Sequence, residues 1–542
     1  MILEAVVKEQ IQDYLEQTGK LGIFQFGYRK HKSTSTAVNT MISKAKNDIN
    51  NGSQTAALMF DMSAAFDTVE KDTVLNKLKL LGMSKEAIQW INSYLSGRTQ
   101  RVKIDDEESP TEELSLGTPQ GSRLSPLLFN ILTCDLNLYM KNGLCCNFAD
   151  DTSISVEAKT KSELIKKLEN DADCMTEFTS TNNLVLNPGK TAFICEDLEE
   201  TVKIGHSGSH MAKGNKKTNE QKRVRTANSW TQTDSKVKNP KNASETESER
   251  ERIREQAIST TESWSQLNTV EASQSTELLG MKIQGNLKWD SHILELKKTL
   301  RKRIGVLTRL RHLVPKKSLK MAADAIFTSK LRYGIATYMR PKLKIEDEGN
   351  KTLKELTILQ NEMLRVITGK KLSDHETLEN LRRKTKTMSV NQICIYHIML
   401  ETYGIVNLKS SPVLENMIKK SPNEKTETLR NAKMLQIPVN QGRNNAFNFY
   451  AASAWNQFQK WLIEENKKQT PRHQHSLGEE CALRSGLGIK CCCHSKFCKN
   501  VPRTRPMTEK EIMLEQRKVE EKELKEFKKQ LKEWILNEIP QD

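Results

Sequence analysis

The chain has 542 residues, of which 36% are hydrophobic and 28% charged, and its formal net charge at pH 7 is +17. This length suits three or four domains of about 150 residues each, and the sequence shows neither an apolar run near the roughly 20 residues of a membrane span nor the pattern of a secretory signal. The excess of positive charge predicts a polyanionic partner, such as DNA, RNA or chromatin.

Three helices are predicted in the first part of the chain. Val74 begins a series of apolar residues spaced three or four apart, which is typical of one helical face. Ser84 is the expected N-cap of the second helix. Ser125 is the expected N-cap of the third, because Pro126 then occupies the first helical turn, where proline is favoured. We therefore expect residues 1–196 to form a compact region.

Residues 197–275 differ in composition from the segment before them. They are rich in Ser, Thr, Asn, Lys and Glu and almost free of aromatic residues, so they bury too little apolar surface to become ordered. We predict a disordered insertion with a short helix at 247–256. Its basic run, residues 213–241, is either a solvated linker, a nuclear-import signal or a loose phosphate-binding arm.

Ordered structure is expected to return at residues 277–283, which carry a strand pattern, and helices follow from His292. The stretch 301–320 contains Lys and Arg residues but no acidic residue, which is more one-sided than an ordinary solvated surface. Residues 353–403 again have a helical pattern. An amphipathic helix near 508–538 is expected to dock on the protein or to form a coiled coil.

The eleven cysteines are expected to be reduced thiols, because no secretory signal precedes them. Cys481 and the cluster from Cys491 to Cys498, which includes His494, are either zinc ligands or free thiols in a loop. Their spacing matches no standard zinc motif. With neither a signal nor a membrane span, the chain is expected in the nucleus or the cytoplasm.

Carboxylates at two separate points of the sequence predict a shared metal site. The apolar run 56–60 indicates a buried strand that ends at Asp61, whereas Asp67 is expected to be a helix N-cap. Asp150 and Asp151 lie at the tip of a predicted β-hairpin, where adjacent like charges repel unless a cation is present. Mg²⁺ would meet this need, since it prefers carboxylate, water and phosphate oxygens. Taken alone, each segment could also be an ordinary acidic turn.

A loop between these segments has the composition of a ligand-binding loop. Gly117, Pro119 and Gly121 would let the backbone approach a ligand closely, and Gln120 and Ser122 add polar side chains. A helix opens just after them. The alternative is a plain loop that leads into a helix.

In this order, the strand-end Asp61, the Gly-Thr-Pro-Gln-Gly loop and the Ala-Asp-Asp hairpin resemble the palm motifs of reverse transcriptases. The resemblance is greatest to non-LTR retrotransposons, in particular to jockey-like elements. Further segments are similar to the family's fingers (Gln25-Phe-Gly-Tyr-Arg29), lysine motif (184–191), primer grip (Leu278-Leu-Gly280), thumb (302–311) and downstream regions (359–369 and 454–456).

The resemblance implies a role for each matching residue. Asp61 and Asp150 would bind two catalytic Mg²⁺ ions, for which Mn²⁺ could substitute. The backbone carbonyl of Met62 would complete one metal site, and Asp151 would be a weaker ligand. Two metal ions can activate the attacking oxygen and stabilise the leaving group of a phosphoryl transfer, which is the chemistry that such carboxylates serve.

Other residues would bind the nucleotide or the nucleic acid. Phe66 would be the steric gate that excludes a ribose 2′-hydroxyl, Gln120 would lie against the nascent base pair, and Lys190 would lie near the triphosphate. The residues implied to bind nucleic acid are cationic: Arg29, Arg301, Arg303, Arg309 and Arg311.

The implied fold is α+β. It consists of a right-hand polymerase palm, which is an antiparallel sheet with packed helices, with partial fingers, a helical thumb and a mostly helical C-terminal region. The expected boundaries are partial fingers at 1–50, palm at 51–196, disordered insertion at 197–275, primer-grip strands at 276–293, helical thumb at 294–370, helical C-terminal region at 371–470, Cys-containing loop at 471–507 and amphipathic helix at 508–542.

The predicted function is RNA-directed DNA polymerase, which extends a DNA primer on an RNA template with deoxynucleoside triphosphates. The family's Arg-Pro fingers segment and its endonuclease domain are not found ahead of these motifs, so an N-terminally truncated element is expected. Two alternatives remain open: a catalytically impaired nucleic-acid-binding remnant, and a host interaction protein that acts through the C-terminal helix. The oligomeric state is not predicted.

Overall fold

The structure is a computed structural model that describes residues 2–196, 201–202, 270–344, 347, 350–418, 435, 447–469 and 509–539. These residues form two compact units. The first contains the described residues up to Lys298 and Asn407–Asn416, and the second contains Thr299–Val406 and the described residues from Met417 onward. The predicted helix at 247–256, the basic run at 213–241 and the cysteine cluster from Cys481 to Cys498 lie outside the described residues.

The first unit is built around a four-stranded antiparallel sheet, as the predicted α+β class requires. The strand order is β10 (Ala192–Cys195), β1 (Gln54–Phe60), β8 (Asp151–Ala158) and β7 (Leu144–Phe148). Strand β1 occupies the interior of the sheet, which agrees with its apolar sequence.

Short antiparallel strand pairs complete the β-structure of this unit. Each pair is too short to be stable alone and depends on packing against the rest of the unit. The pairs are β2 (Met62–Ser63) with β9 (Val185–Leu186), β3 (Arg98–Gln100) with β6 (Glu112–Leu114), β4 (Lys103–Ile104) with β5 (Glu107–Glu108), β11 (Thr201–Val202) with β12 (Val270–Glu271), and β13 (Ser275–Leu278) with β14 (Met281–Gln284).

Helices pack on the sheet and enclose an apolar core. Leu58 and Ile154 of the sheet and Leu168 and Phe178 of a long helix are fully buried in this core. The helices are α1 (Ile2–Gln17), α2 (Thr34–Asn50), α3 (Lys71–Leu80), α4 (Lys85–Leu95), α5 (Ser125–Leu132), α6 (Leu136–Tyr139) and α7 (Lys161–Thr181). Of these, α2 and α7 lie against strands of the sheet.

The predicted helix starts are confirmed in one case and wrong by one residue in another. Ser84 caps α4 by accepting the backbone N–H of Ala87. Ser125, by contrast, is the first residue of α5, and Leu124 precedes it as N-cap without a side-chain bond. The hydroxyl of Ser122 accepts the backbone N–H groups of Leu124 and Ser125, so it performs the capping from a position further upstream.

The chain after β14 passes very close to the edge of the sheet. A Cβ atom on Gly285 would lie 1.8 Å from the carbonyl oxygen of Cys195 in β10. No side chain fits at that distance, so glycine is required there for the hairpin β13–β14 to pack on the sheet.

The second unit is helical. Its helices include the second half of α8 (Asp290–Leu310), α9 (Lys316–Ala323), α10 (Ser329–Arg332), α11 (Ile335–Tyr338), α12 (Lys351–Thr368), α13 (Leu378–Thr385), α14 (Val390–Leu408) up to Val406, α16 (Phe447–Gln469) and α17 (Glu509–Glu538). Helix α15 (Pro412–Met417) belongs to the first unit up to Asn416.

Aromatic side chains join the last helix to the rest of the second unit. The ring of Phe527 in α17 lies 4.3 Å from that of Tyr403 and 6.0 Å from that of Trp455. Trp534, one of the largest fully buried side chains, lies 5.5 Å from Phe458. The apolar stripe of α17 therefore docks on α14 and α16. Within the described part of the chain, no helix is both long and apolar enough to cross a membrane.

Candidate active site

The sheet brings the three predicted carboxylates to one place. Phe60, the last residue of β1, pairs with Thr152 of β8, so Asp61 lies across from the start of β8 at Asp151. Asp151 in turn pairs with Phe148 across the hairpin β7–β8, and Ala149 and Asp150 form its tip. The predicted strand and the predicted hairpin are therefore confirmed.

The charges of these carboxylates influence one another. Partial burial raises the pKa of Asp150, and the negative charge of Asp61 raises it further, whereas Lys190 acts in the opposite direction. The pKa of Asp151 is also raised, first by partial burial and then by the charges of Asp150 and Asp61. Such mutual repulsion is the electrostatic condition that a bound cation relieves.

In the structure, Lys190 supplies the cation beside Asp61. Its Nζ lies 3.1 Å from Asp61 Oδ2, and two thirds of its side chain is exposed. Lys190 ends a short 3₁₀ turn, Pro188–Lys190, that follows β9. That turn is held near Asp61 because the backbone N–H of Asn187 donates to the Asp61 carbonyl at 2.8 Å. The structure thus places the lysine motif beside Asp61, whereas the predicted position of Lys190 near the triphosphate stays a prediction.

The donor chemistry of this group fits Mg²⁺. All three side chains offer carboxylate oxygens, which are the hard ligands that Mg²⁺ prefers. Their present positions do not form a ligand set, since the described residues contain no group of three or more His, Cys, Asp or Glu side chains that could hold a metal ion as they stand. Met62, whose carbonyl the resemblance implies as a metal ligand, is the buried first residue of β2.

The ring of Phe66 is held between two other aromatic rings. Its centroid lies 4.8 Å from that of Phe129 and 6.5 Å from that of Tyr28, which meets it edge-on. Phe66 is only partly buried. The ring of Phe66, five residues after Asp61, is therefore held in place and is partly accessible to solvent.

The glycine-containing loop is bound to the turn that carries Phe66. The backbone N–H of Thr118 donates to the Phe66 carbonyl at 2.9 Å, and a Cβ on Gly117 would lie 2.9 Å from the Asp67 carbonyl oxygen. Gln120 Nε2 donates to both carboxylate oxygens of Asp67, at 2.9 and 3.1 Å. The turn that carries Phe66 and the loop that carries Gln120 are therefore joined by hydrogen bonds.

The predicted role of Asp67 as a helix N-cap is wrong. The N-cap of α3 is Glu70, three residues further along the chain. Asp67 instead accepts from Gln120 across 53 residues of sequence. Residue preference at helix starts could not reveal this contact, because it depends on how two loops pack.

Arg29 does not fit its predicted role in nucleic-acid binding. Its guanidinium forms a two-point ion pair with Glu16 and donates to the carbonyl of Gly22, and only 9% of its side chain is exposed. A buried pair of this kind holds α1 against the loop before α2, which is a structural role.

The four arginines predicted on the thumb differ in exposure. Arg301, Arg309 and Arg311 are exposed, whereas Arg303 is partly buried and donates to the backbone carbonyl of Ile326. Ile326 belongs to a π-helical turn, Asp324–Thr328, whose irregular backbone needs partners from outside the helix. Arg303 therefore stabilises the second unit.

Gln25 and Gly27 contact the hairpin tip, a role that sequence-based prediction missed. Gln25 accepts the backbone N–H of Ala149, and Gly27 packs against the same residue. The glycine between aromatic residues was the available signal, since it indicates a close approach of backbones.

Comparisons with known proteins identify the family of the chain. Residues 2–283 match the family described as reverse transcriptase (RNA-dependent DNA polymerase). The match covers more than half of the chain, and the chain belongs to this family. Among solved structures, apo telomerase from Candida tropicalis aligns with 75% of this chain and 59% of its own at 12% identity, with a TM-score of 0.36.

Within the family, the chain is similar to reverse transcriptases of jockey-like, non-LTR elements. It is 28% identical over 198 residues to the RNA-directed DNA polymerase from mobile element jockey of Drosophila funebris. This match covers 35% of this chain and 22% of that protein. It is 27% identical over 203 residues to the probable RNA-directed DNA polymerase from transposon BS of Drosophila melanogaster. This match covers 36% of this chain and 22% of that protein. The matched region spans about a fifth of the length of these curated relatives.

Proposed function

We propose that this chain is an RNA-directed DNA polymerase that extends a DNA primer on an RNA template with deoxynucleoside triphosphates. The observation that supports it most strongly is the convergence of Asp61, Asp150 and Asp151 at the end of β1 and the tip of β7–β8. Primer extension joins the primer 3′-oxygen to the α-phosphorus of the nucleotide and releases pyrophosphate. Carboxylates from separate chain segments suit this reaction, because the charges that develop lie on both sides of the phosphorus.

The metal ligands proposed are Asp61, Asp150, Asp151 and the carbonyl of Met62. Two Mg²⁺ or Mn²⁺ ions held there would activate the attacking oxygen and stabilise the leaving pyrophosphate. The chain contributes the placement of the ligands: β1 fixes Asp61, and the hairpin fixes the other two. Lys190, already paired with Asp61, would turn its mobile ammonium toward the triphosphate.

The proposed architecture is a right hand. The antiparallel sheet at 51–196 would be the palm, residues 1–50 part of the fingers, 276–293 the primer-grip strands and 294–370 the thumb. The further proposed regions are a helical C-terminal region at 371–470, a Cys-containing loop at 471–507 and an amphipathic helix at 508–542. The sheet with packed helices in the first unit and the helical second unit support this division. The activity is proposed to take place in the nucleus or the cytoplasm.

Replacement of Phe66 by Ala is expected to relax the choice of sugar. The ring would occupy the space of a 2′-hydroxyl, and it is held there by Phe129 and Tyr28. We expect the ratio of ribonucleotide to deoxyribonucleotide incorporation, measured as kcat/KM, to rise by about tenfold or more, which corresponds to about 1.4 kcal/mol. Trp90→Ala, at another partly buried aromatic ring, is the control and should leave the ratio unchanged. An unchanged ratio in an active Phe66→Ala variant would assign the gate to another residue.

The exposed arginines of the second unit are expected to make binding of primer–template sensitive to salt. Each phosphate contact contributes about 0.9 to the slope of log affinity against log salt on duplex DNA. The triple replacement of Arg301, Arg309 and Arg311 by Gln should therefore lower the slope by up to about 2.7, whatever the sequence bound. Fluorescence anisotropy at several salt concentrations measures this slope.

The control replaces Arg383, whose side chain is 73% exposed and pairs with Glu379. Arg383→Gln should leave the slope unchanged. If deletion of 213–241 removes the salt dependence while the triple variant retains it, the basic insertion makes the contacts and the thumb assignment is wrong. Salt-dependent binding without any extension by the wild type would instead favour the impaired remnant.

A further inference from the structure

The tip of the hairpin β7–β8 has a strained backbone. Ala149, the first residue of the two-residue loop, has φ of 58°, a value that favours glycine. Its side chain is buried. A strained residue directly before Asp150 needs support from the surrounding structure, because an L-residue leaves the left-handed region readily when unsupported.

That support comes from one buried amide side chain. Gln25 is 2% exposed, and its Oε1 accepts the backbone N–H groups of Gly27 at 2.9 Å and of Ala149 at 3.2 Å. Its Nε2 donates to Thr133 Oγ1, directly after α5, at 3.5 Å. One side chain therefore connects the tip to the segment before α2 and to the end of α5.

The backbone on either side of Gln25 is aligned with β7. The N–H of Phe26 donates to the carbonyl of Asn147 at 2.7 Å, and the N–H of Asn147 donates to the carbonyl of Phe24 at 3.0 Å. Gln25 and Asn147 thus form a parallel bridge next to the hairpin. This alignment fixes the position from which the Gln25 side chain reaches Ala149.

We propose that Gln25 is a positioning residue for the carboxylate of Asp150. It acts by pairing with the amide of Ala149, which keeps the strained loop in the one conformation that directs Asp150 toward Asp61. Only the expected effect on primer extension rests on the proposed polymerase function. The effect on the loop itself follows from the hydrogen bonds alone, since buried amides without partners are costly and drive local rearrangement.

The test uses Gln25→Leu, which keeps the size of the side chain and removes its acceptor, and Gln25→Glu, which retains an acceptor oxygen. Hydrogen–deuterium exchange of the amides from 145 to 152 is expected to be about tenfold faster in Gln25→Leu than in wild type. Gln25→Glu should restore slow exchange. The matched control is Gln360→Leu, since Gln360 is also fully buried and donates to the carbonyl of Met388 in the second unit.

Primer extension provides the functional measurement. In Gln25→Leu, we expect kcat to fall by about tenfold or more while KM for nucleotide changes by less than about twofold, because the ligand moves but the nucleotide pocket does not. Gln360→Leu should retain wild-type kcat. If Gln25→Leu does not fold, Thr133→Val, which removes the acceptor of Gln25 Nε2, replaces it and should accelerate tip exchange by about twofold to threefold.

Two outcomes would overturn the proposal. One is wild-type exchange at 145–152 in the folded Gln25→Leu variant. The other is faster exchange at the tip with no change in kcat, which would show that the loop is held but that Asp150 does not depend on it. Failure of the polymerase function is distinguishable from both, because it would appear as an inactive wild-type protein with the exchange difference intact.

Discussion

Asp150→Ala is expected to lower kcat of primer extension by about 10³-fold or more. Asp150 lies at the tip of the hairpin β7–β8, and partial burial together with the negative charge of Asp61 raises its pKa. Loss of a ligand to a catalytic metal removes several kcal/mol of transition-state stabilisation, and each 1.36 kcal/mol is a factor of ten in rate. Single-turnover extension of a labelled primer measures this loss separately from product release.

The control for this variant is Asp106→Ala. Asp106 is an exposed aspartate in the turn between β4 and β5, away from the sheet that carries the site. Its replacement removes the same charge and should leave kcat within about twofold of wild type. Comparable activity of Asp150→Ala and Asp106→Ala would remove Asp150 from the metal site.

Gly27→Ala is expected to have the second largest effect. A Cβ on Gly27 would lie 2.4 Å from the backbone nitrogen of Ala149 and 3.0 Å from the carbonyl carbon of Phe148, and backbone atoms cannot yield as a flexible side chain can. The tip must then move away from the segment before α2. A displacement of about 1 Å in a catalytic group can cost about 10² in rate, so we expect kcat to fall by about that factor.

The control for Gly27→Ala is Gly19→Ala. A Cβ on Gly19 meets no atom within 4 Å, although its φ of 64° makes alanine unfavourable. This variant therefore reports the general cost of a strained backbone, about 1 kcal/mol of stability, without any contact with the tip. If both variants melt at lower temperature but extend primers as fast as wild type, the tip does not depend on Gly27.

Local patterns predicted the parts of the site that lie within one segment. An apolar run followed by Asp61 identified β1, and two flanking strand patterns identified the hairpin that carries Asp150 and Asp151. These predictions succeeded because strand formation and hairpin formation depend mainly on neighbouring residues. The order of the motifs then predicted that the carboxylates converge, and the pairing of Phe60 with Thr152 produces that convergence.

Contacts between distant segments could not be predicted from one sequence. Gln25 meets Ala149 across 124 residues, and Arg29 pairs with Glu16 because α1 folds back on the loop before α2. Arginine in a motif indicates positive charge, but it does not reveal whether the charge is buried. The same holds for Asp67. Its residue type favours a helix start, but its carboxylate instead accepts a hydrogen bond from Gln120 in another loop.

Incorporation of single nucleotides tests most directly the proposal that this chain copies RNA into DNA at the carboxylate site. A DNA primer annealed to RNA templates that differ in their first unpaired base is incubated with the wild-type protein, Mg²⁺ or Mn²⁺, and one deoxynucleotide at a time. We expect the wild type to add the complementary deoxynucleotide on each template, Asp150→Ala to lose this addition and Asp106→Ala to retain it. Absence of addition by the wild type with either metal, or addition that does not follow the template base, would contradict it.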